Sequence, residues 1–310
     1  MRKVLVLLSA YEGEQYLEEQ LKSLDTQEGV DVHLLVRDDG SPNRGTLDCV
    51  RSFRPNRMKV DCMEGENVGF ALSFSLLVKE AFERYGPYDY YAFCDQDDVW
   101  LKDKLAIAAD MLEAQASVLS PDTPLLYCSN ATLTDQDLNP TGQFYRTPAR
   151  VRRDKPTALL QTGCIGCTAV FNYAALKMYA THLPKGSFYA HDFLMYQMCM
   201  YLGHVVYDSD SHILYRQHAA NQIGAKDFLG RMRARLDYRK HAGTLENQCR
   251  LFLDLYKEEL SEEDIKTVSL VAFYRDSLRS KLTLLSDKRI RYGSAESNFF
   301  YFLKVLFGVL

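Results

Sequence analysis

Four short apolar runs, each followed by an amphipathic stretch, constrain this chain more than any other feature. They are Val4–Ser9, Val32–Arg37, Met58–Cys62 and Tyr90–Cys94. A strand with one face in water alternates apolar and polar residues, whereas a strand buried on both faces reads as a nearly continuous apolar run. The stretches between them read as helices: Glu14–Leu24, Thr46–Phe53, Ala71–Tyr85 and Leu101–Ala116. In the first, Tyr16, Leu17, Gln20, Leu21 and Leu24 recur at helical spacing with glutamates opposite. Strand and helix alternating over residues 1–116 predict an α/β fold, a mainly parallel sheet covered by helices on both faces. Ligands of such sheets bind beyond the carboxyl ends of the strands. The loops Ser9–Gly13, Asp38–Ser41 and Asp95–Asp98 all follow such ends and should share one crevice.

The alternation weakens after residue 120. Leu125–Ser129 and Ala131–Thr134 read as two strands, Thr141–Lys155 as a polar, basic loop, and Gly163–Phe171 as a glycine-rich strand region. A helix spans Tyr173–His182, and another opens at Ala190-His191-Asp192-Phe193. Val205–Asp208 and His212–Tyr215 read as short strands. Residues 226–240 carry six basic and two acidic residues, and most of the remainder reads as helix.

Composition excludes several classes. Hydrophobic residues make up 47% and charged residues 25%, the balance of a globular protein. A net charge of −4 gives no support to nucleic-acid binding. Eight cysteines in a chain this long do not read as a disulfide framework, which predicts a reducing, cytoplasmic setting. Cys164 and Cys167 form a CxxC, but a zinc site would want a second pair. No apolar run reaches the roughly 18 residues of a membrane span. The start, MRKVLVLLSAY, reads as a buried first strand rather than a signal peptide.

The chemistry-bearing residues cluster in FCDQDDVW, residues 93–100. Asp95 and Asp97, two apart beyond a strand, can both approach one hard divalent cation such as Mn²⁺ or Mg²⁺. A solvated acidic turn, or a helix start capped by Asp98, is the plainer alternative. Asp38 and Asp39 can accept hydrogen bonds from a ribose or a base, yet DDGSP is also a good turn sequence. Asp192 can serve as a general base if it faces the crevice, or as a helix cap. Arg216 and His218, just past a strand, can face a diphosphate or the metal.

Taken together, LLSAYEGEQYLEEQLKSL, VRDDGSPN, ENVGF, FCDQDDVW, GCTAVFN, HDF and YRQHAANQIGA resemble, in order and spacing, the family 2 glycosyltransferases. The resemblance covers about residues 1–225 and is closest to bacterial rhamnosyltransferase-like members, which build cell-wall, capsular and O-antigen polysaccharides. It implies the GT-A fold, with a nucleotide-sugar half (1–118), an acceptor half (119–225) and a helical C-terminal region (226–310). It implies an inverting, metal-dependent transfer of rhamnose or another hexose. The donor would be dTDP-rhamnose or a UDP-sugar, and the acceptor a glycan or lipid-linked molecule. By the same resemblance Ala10, Tyr11 and Glu12 line the nucleotide pocket, and Asp38 and Asp39 contact base or ribose. Asn67, Gly69 and Phe70 lie beside the sugar nucleotide, as do Gln96 and Asp98. Asp95 and Asp97, with His218, hold the metal, and Arg216 closes over the diphosphate. Asp192 is the base. Trp100 packs beneath the loop or beside the acceptor, where His191 also belongs. The family often has an aromatic pair after HD; here Phe193 is followed by Leu194.

Two other functions compete. A nucleotidyltransferase would show a basic, glycine-rich phosphate loop after the first strand, where this chain reads SAYEGEQY. A non-catalytic nucleotide-sugar-binding protein would need no Asp192. At the C-terminal end, basic residues 226–240 and apolar residues 299–310 suit either an anionic membrane surface or packing on the catalytic part or a second subunit. The oligomeric state is not set by the sequence.

Overall fold

The computed structural model describes residues 1–147, 151–186, 188–218 and 243–310. The basic run 226–240 and the end of the YRQHAANQIGA motif lie outside these residues. The parallel half follows the predicted alternation: β1 (Arg2–Ala10), α1 (Leu17–Asp25), β2 (Val30–Asp38), α2 (Gly45–Ser52), β3 (Lys59–Glu64), α3 (Phe70–Arg84) and β4 (Tyr90–Cys94). A two-residue strand β5 (Val99–Trp100), absent from the sequence reading, precedes α4 (Lys104–Ala116).

The second half comprises β6 (Leu125–Thr134), β7 (Pro140–Gln143), β8 (Val170–Asn172), α5 (Tyr173–Thr181), α6 (His191–Leu202) and β9 (His204–Arg216). Among the described residues nine strands form one sheet in the order β3-β2-β1-β4-β8-β6-β9-β5, with β7 paired to β6. β3, β2, β1 and β4 are mutually parallel. β8 runs antiparallel to both β4 and β6. Mixed pairing of this kind, with helices on both faces, is the predicted α/β architecture.

Successive residues of β1 point to opposite faces and both faces are covered. Val4, Val6 and Leu8 pack in a core with α1 and α4, while Leu5 and Leu7 join a second core with α3, α5 and α6. This double burial is the physical source of the uniformly apolar strands. The second core continues into the C-terminal helices α7 (Thr244–Tyr256), α8 (Glu262–Ala272), α9 (Leu278–Ser286) and α10 (Ala295–Phe307). Phe252 and Tyr256 pack there beside Met195 and Cys199. Ser261, Ser277 and Ser294 cap α8, α9 and α10 by accepting the backbone N–H three residues on, which fixes where each begins.

Three expectations are corrected. The two strands at 125–134 are one, because the polar pair that broke the apolar pattern is buried and satisfied. Ser129 Oγ donates to Asn130 C=O at 2.9 Å, and Asn130 Nδ2 donates to Tyr145 C=O at 3.1 Å. Likewise 205–208 and 212–215 belong to one long β9, irregular where it pairs with Ser129–Thr132. Gly163–Phe171 is mostly turn: a single 3₁₀ turn, Gly166–Thr168, precedes the three-residue β8.

Candidate active site

The carboxyl ends of β1, β2 and β4 open into a cavity of about 960 Å³. Sheet pairing alone brings the three predicted loops together: Ala10 lies beside Asp38, and Leu8 beside Cys94. Gln96 then ties two loops directly. Its Oε1 accepts from Tyr11 N–H at 2.9 Å and its Nε2 donates to Tyr11 C=O at 3.0 Å. The amide thus mimics a strand neighbour. Gly13 is required for this bridge, because a Cβ there would lie 2.3 Å from Gln96 Oε1.

The DDGS loop is held just as firmly. Asp38 accepts from the backbone N–H and hydroxyl of Ser41, closing the turn. Asp39 is ion-paired with Arg37, both about 3% exposed, and its carboxylate also accepts from Val68 N–H and Gly69 N–H. Asp39 therefore shapes the Asn67–Phe70 wall, while Asp38 and Ala10 do not line the cavity. Asp38 thus takes the turn-forming role that DDGSP also offered.

FCDQDDVW divides by partner. Asp97 Oδ2 lies 2.7 Å from His218 Nε2, and the His218 ring faces Tyr16 at 4.9 Å. Asp98 is 1% exposed and accepts from Arg216 N–H at 3.1 Å. Burial, then repulsion by Asp97 and Asp95, pushes its carboxyl well above the ordinary range. Asp95 stays on the cavity wall, its carboxyl raised by burial and by the charges of Asp97 and Asp192. Arg216 and Trp100 are both held in the interior. Arg216, 2% exposed, directs its guanidinium to Asp97 C=O at 2.9 Å, to Gln136 C=O and to Glu19, not into the cavity. Trp100, 2% exposed, packs beneath the loop with Lys104 Nζ 3.4 Å from its ring centroid, the first of the two placements expected for it. Asp98 likewise lies behind the cavity wall rather than beside a sugar.

A further part of the lining comes from α6. Asp192, in its first turn, accepts from Phe193 N–H at 2.8 Å. Burial pushes its carboxyl up to about 6 against the lowering effect of the backbone N–H groups around it. Gly166 permits close approach here, since a Cβ would meet Asp192 Cβ at 3.3 Å. His191 stacks on Phe74 with centroids 3.8 Å apart, and burial holds its ring value down to about 3. Neither ring nitrogen has a hydrogen-bond partner among the described residues, and the ring borders the cavity.

Sequence reading missed the residues that widen this cavity: Phe144 and Tyr145, Gln161, Tyr189, and Leu245 from α7. Phe144 and Tyr145 sat in a stretch that looked polar as a whole, and Leu245 in a region that looked separate. The aromatic pair inside a basic loop was the available signal.

The cavity wall carries five carboxylates, those of Glu12, Asp39, Asp95, Asp97 and Asp192, and, among the described residues, no lysine or arginine. Such a concentration of hard oxygen donors suits a divalent cation. Asp95, Asp98 and Cys167 can bring one ligand atom each within 4.8 Å of one another. Cys167, a thiol that burial keeps neutral, is a poor ligand for a hard cation, and Asp98 does not line the cavity, so Asp95 and its neighbour Asp97 on the cavity lining are the fitting donors.

A GT-A sheet with an Asp-x-Asp turn after β4, and a carboxylate on the facing helix, defines a glycosyltransferase. The chain belongs to glycosyl transferase family 2, whose family model matches residues 5–179. The dTDP-rhamnosyl transferase RfbG of Shigella flexneri is 29% identical over 230 residues, covering 70% of this chain and 74% of that protein. A crystal structure of S. aureus TarS superposes with a TM-score of 0.58 at 17% identity, covering 92% of this chain and 76% of that one. TarS in complex with UDP-GlcNAc gives 0.57 at 16% identity, with 99% and 92% covered. The TarS likeness is one of fold. Family membership sets aside the nucleotidyltransferase alternative.

Proposed function

We propose that this chain is an inverting, metal-dependent transferase that moves rhamnose from dTDP-rhamnose to a hydroxyl of a glycan or lipid-linked acceptor in cell-surface polysaccharide synthesis. The observation that carries the reading is one cavity lined by both the Asp95–Asp97 turn and Asp192, whose charge is felt at Asp95. The dTDP-rhamnosyl relative supports the choice of donor.

Asp95 and Asp97 would hold Mn²⁺ or Mg²⁺, and when bound the ion neutralises charge on the departing diphosphate. His218, expected beside them as a third ligand, lies 2.7 Å from Asp97 Oδ2 and so would orient that carboxylate. Asp192 removes the proton from the acceptor hydroxyl. The acceptor oxygen attacks the anomeric carbon from the face opposite the leaving nucleoside diphosphate, so one C–O bond forms as the other breaks. A carboxyl raised to about 6 is ionised at neutral pH yet basic enough to take that proton. His191, with free ring nitrogens on the cavity, is placed to hydrogen-bond a sugar hydroxyl.

A thermal-shift panel of dTDP-rhamnose, UDP-GlcNAc and UDP-glucose, each with and without Mn²⁺, tests the reading. A ligand that binds only the folded state raises its apparent stability with the logarithm of its concentration. The expected result is a shift with dTDP-rhamnose that grows when Mn²⁺ is present. A shift with a UDP-sugar alone replaces the donor, and silence across the panel removes the nucleotide-sugar reading.

A further inference from the structure

Helix α10 is apolar nearly all round. It buries Tyr301 and Val305 in the core and turns Phe299 (61% exposed), Phe302, Leu306 (50%) and Phe307 (72%) outward. At 3.6 residues per turn these four share the side opposite the buried pair. Helix α9 lies alongside, with Lys281 Nζ donating to Leu306 C=O at 3.0 Å, and adds exposed Leu278 and Leu282. Six large apolar side chains on two adjacent short helices are more than solubility tolerates without a use.

Charge indicates what covers them. Residues 275–310 hold seven lysines and arginines against three acids, whereas the whole chain holds 37 against 41. Arg279 on α9 and Lys288 just beyond it are exposed. A two-fold contact would set this positive surface against its own copy and repel. Aromatic and leucine side chains flanked by basic residues suit the interface of an anionic bilayer, where apolar groups enter the acyl boundary and cations meet headgroups. Among the described residues no helix is long and apolar enough to cross a membrane, so the contact lies along the surface.

We propose that the outer face of α9 and α10 docks the protein on an anionic phospholipid surface. The inference does not depend on the donor or the reaction. Its test is flotation of the full chain with phosphatidylglycerol-containing vesicles and with pure phosphatidylcholine vesicles. At least tenfold more protein should float with the anionic vesicles. Phe299→Ser with Leu306→Ser should lower that binding at least tenfold with unchanged circular dichroism and melting temperature. Arg279→Glu with Lys288→Glu, both on exposed positions, should reduce it to the phosphatidylcholine level, and serves if the serine pair disturbs folding. Equal binding to both vesicle types, or binding untouched by either variant, overturns the proposal. So does a solution dimer that the serine pair dissociates in a protein that ignores vesicles.

Discussion

His218 Nε2 lies 2.7 Å from Asp97 Oδ2 although the two residues are 121 apart in sequence. The histidine holds one oxygen of Asp97, and both residues line the cavity. Asp97→Asn should cut Mn²⁺-dependent release of nucleoside diphosphate by at least ~100-fold, the scale of removing one preorganised electrostatic group. His218→Ala should cost less, about tenfold, and act mainly by raising the Mn²⁺ concentration needed for half-maximal rate. Titrating Mn²⁺ against product release measures both, and full activity of Asp97→Asn would remove the metal assignment.

Asp192 predicts a different signature. Asp192→Asn keeps the shape and hydrogen-bonding size of the side chain but cannot take a proton. Transfer should fall by about 10²–10⁴, while the thermal shift given by the donor stays close to wild type. Equal loss of binding and transfer would show that the residue holds the donor instead.

The pH profile follows from the same group. Burial raises the Asp192 carboxyl from 3.8 to about 6, so its charged, basic form is lost as pH falls through about 6. The value of kcat/KM should therefore be level above about pH 7 and fall roughly tenfold per pH unit below 6. An acidic limb centred near 4 would mean that an ordinary exposed carboxylate controls the rate.

The pair Arg37–Asp39 is nearly fully buried and joins three segments of chain. Arg37 donates to Glu66 C=O and to Ser73 Oγ, both at 2.9 Å. Asp39→Ala would leave a buried guanidinium without its carboxylate, at a cost of about 3–5 kcal/mol. Denaturant unfolding should show that loss. Removing both charges together, as Arg37→Met with Asp39→Ala, should cost less than Asp39→Ala alone if burial of an unpaired charge is the main penalty.

The fold was largely legible because its central strands are buried on both faces, and burial writes itself into Val4–Leu8 and Tyr90–Cys94 as plain runs of apolar residues. The parallel half of the cavity was legible for the same reason, since loops after such strands must converge. Individual roles were not. Asp39 and Arg216 look like ligand-binding residues in one dimension, but distant partners, the Gly69 N–H for Asp39 and Glu19 for Arg216, are brought in by folding. Trp100 carries no mark that separates a sugar platform from a buried wedge. Strands β5 and β7 were invisible because two or four residues give no period, and Ser129-Asn130 hid the continuity of β6 because side-chain hydrogen bonds let polar residues sit in the core.

The reversal of one strand sets a clock on this site. β8 runs back between β4 and β6, and the groups that hold the aspartate turn, Arg216 and His218, lie at and just beyond the end of β9, 118 to 121 residues after Asp98 and Asp97. At about 5–20 residues per second of synthesis, the crowded carboxylates wait about 6–24 s on the ribosome for those partners. Until β8 is made the nascent chain carries an open sheet edge at β4, and until β9 ends it carries an acidic turn without those partners. A slow stretch of translation between residues 100 and 172 would prolong the exposure of that edge to aggregation.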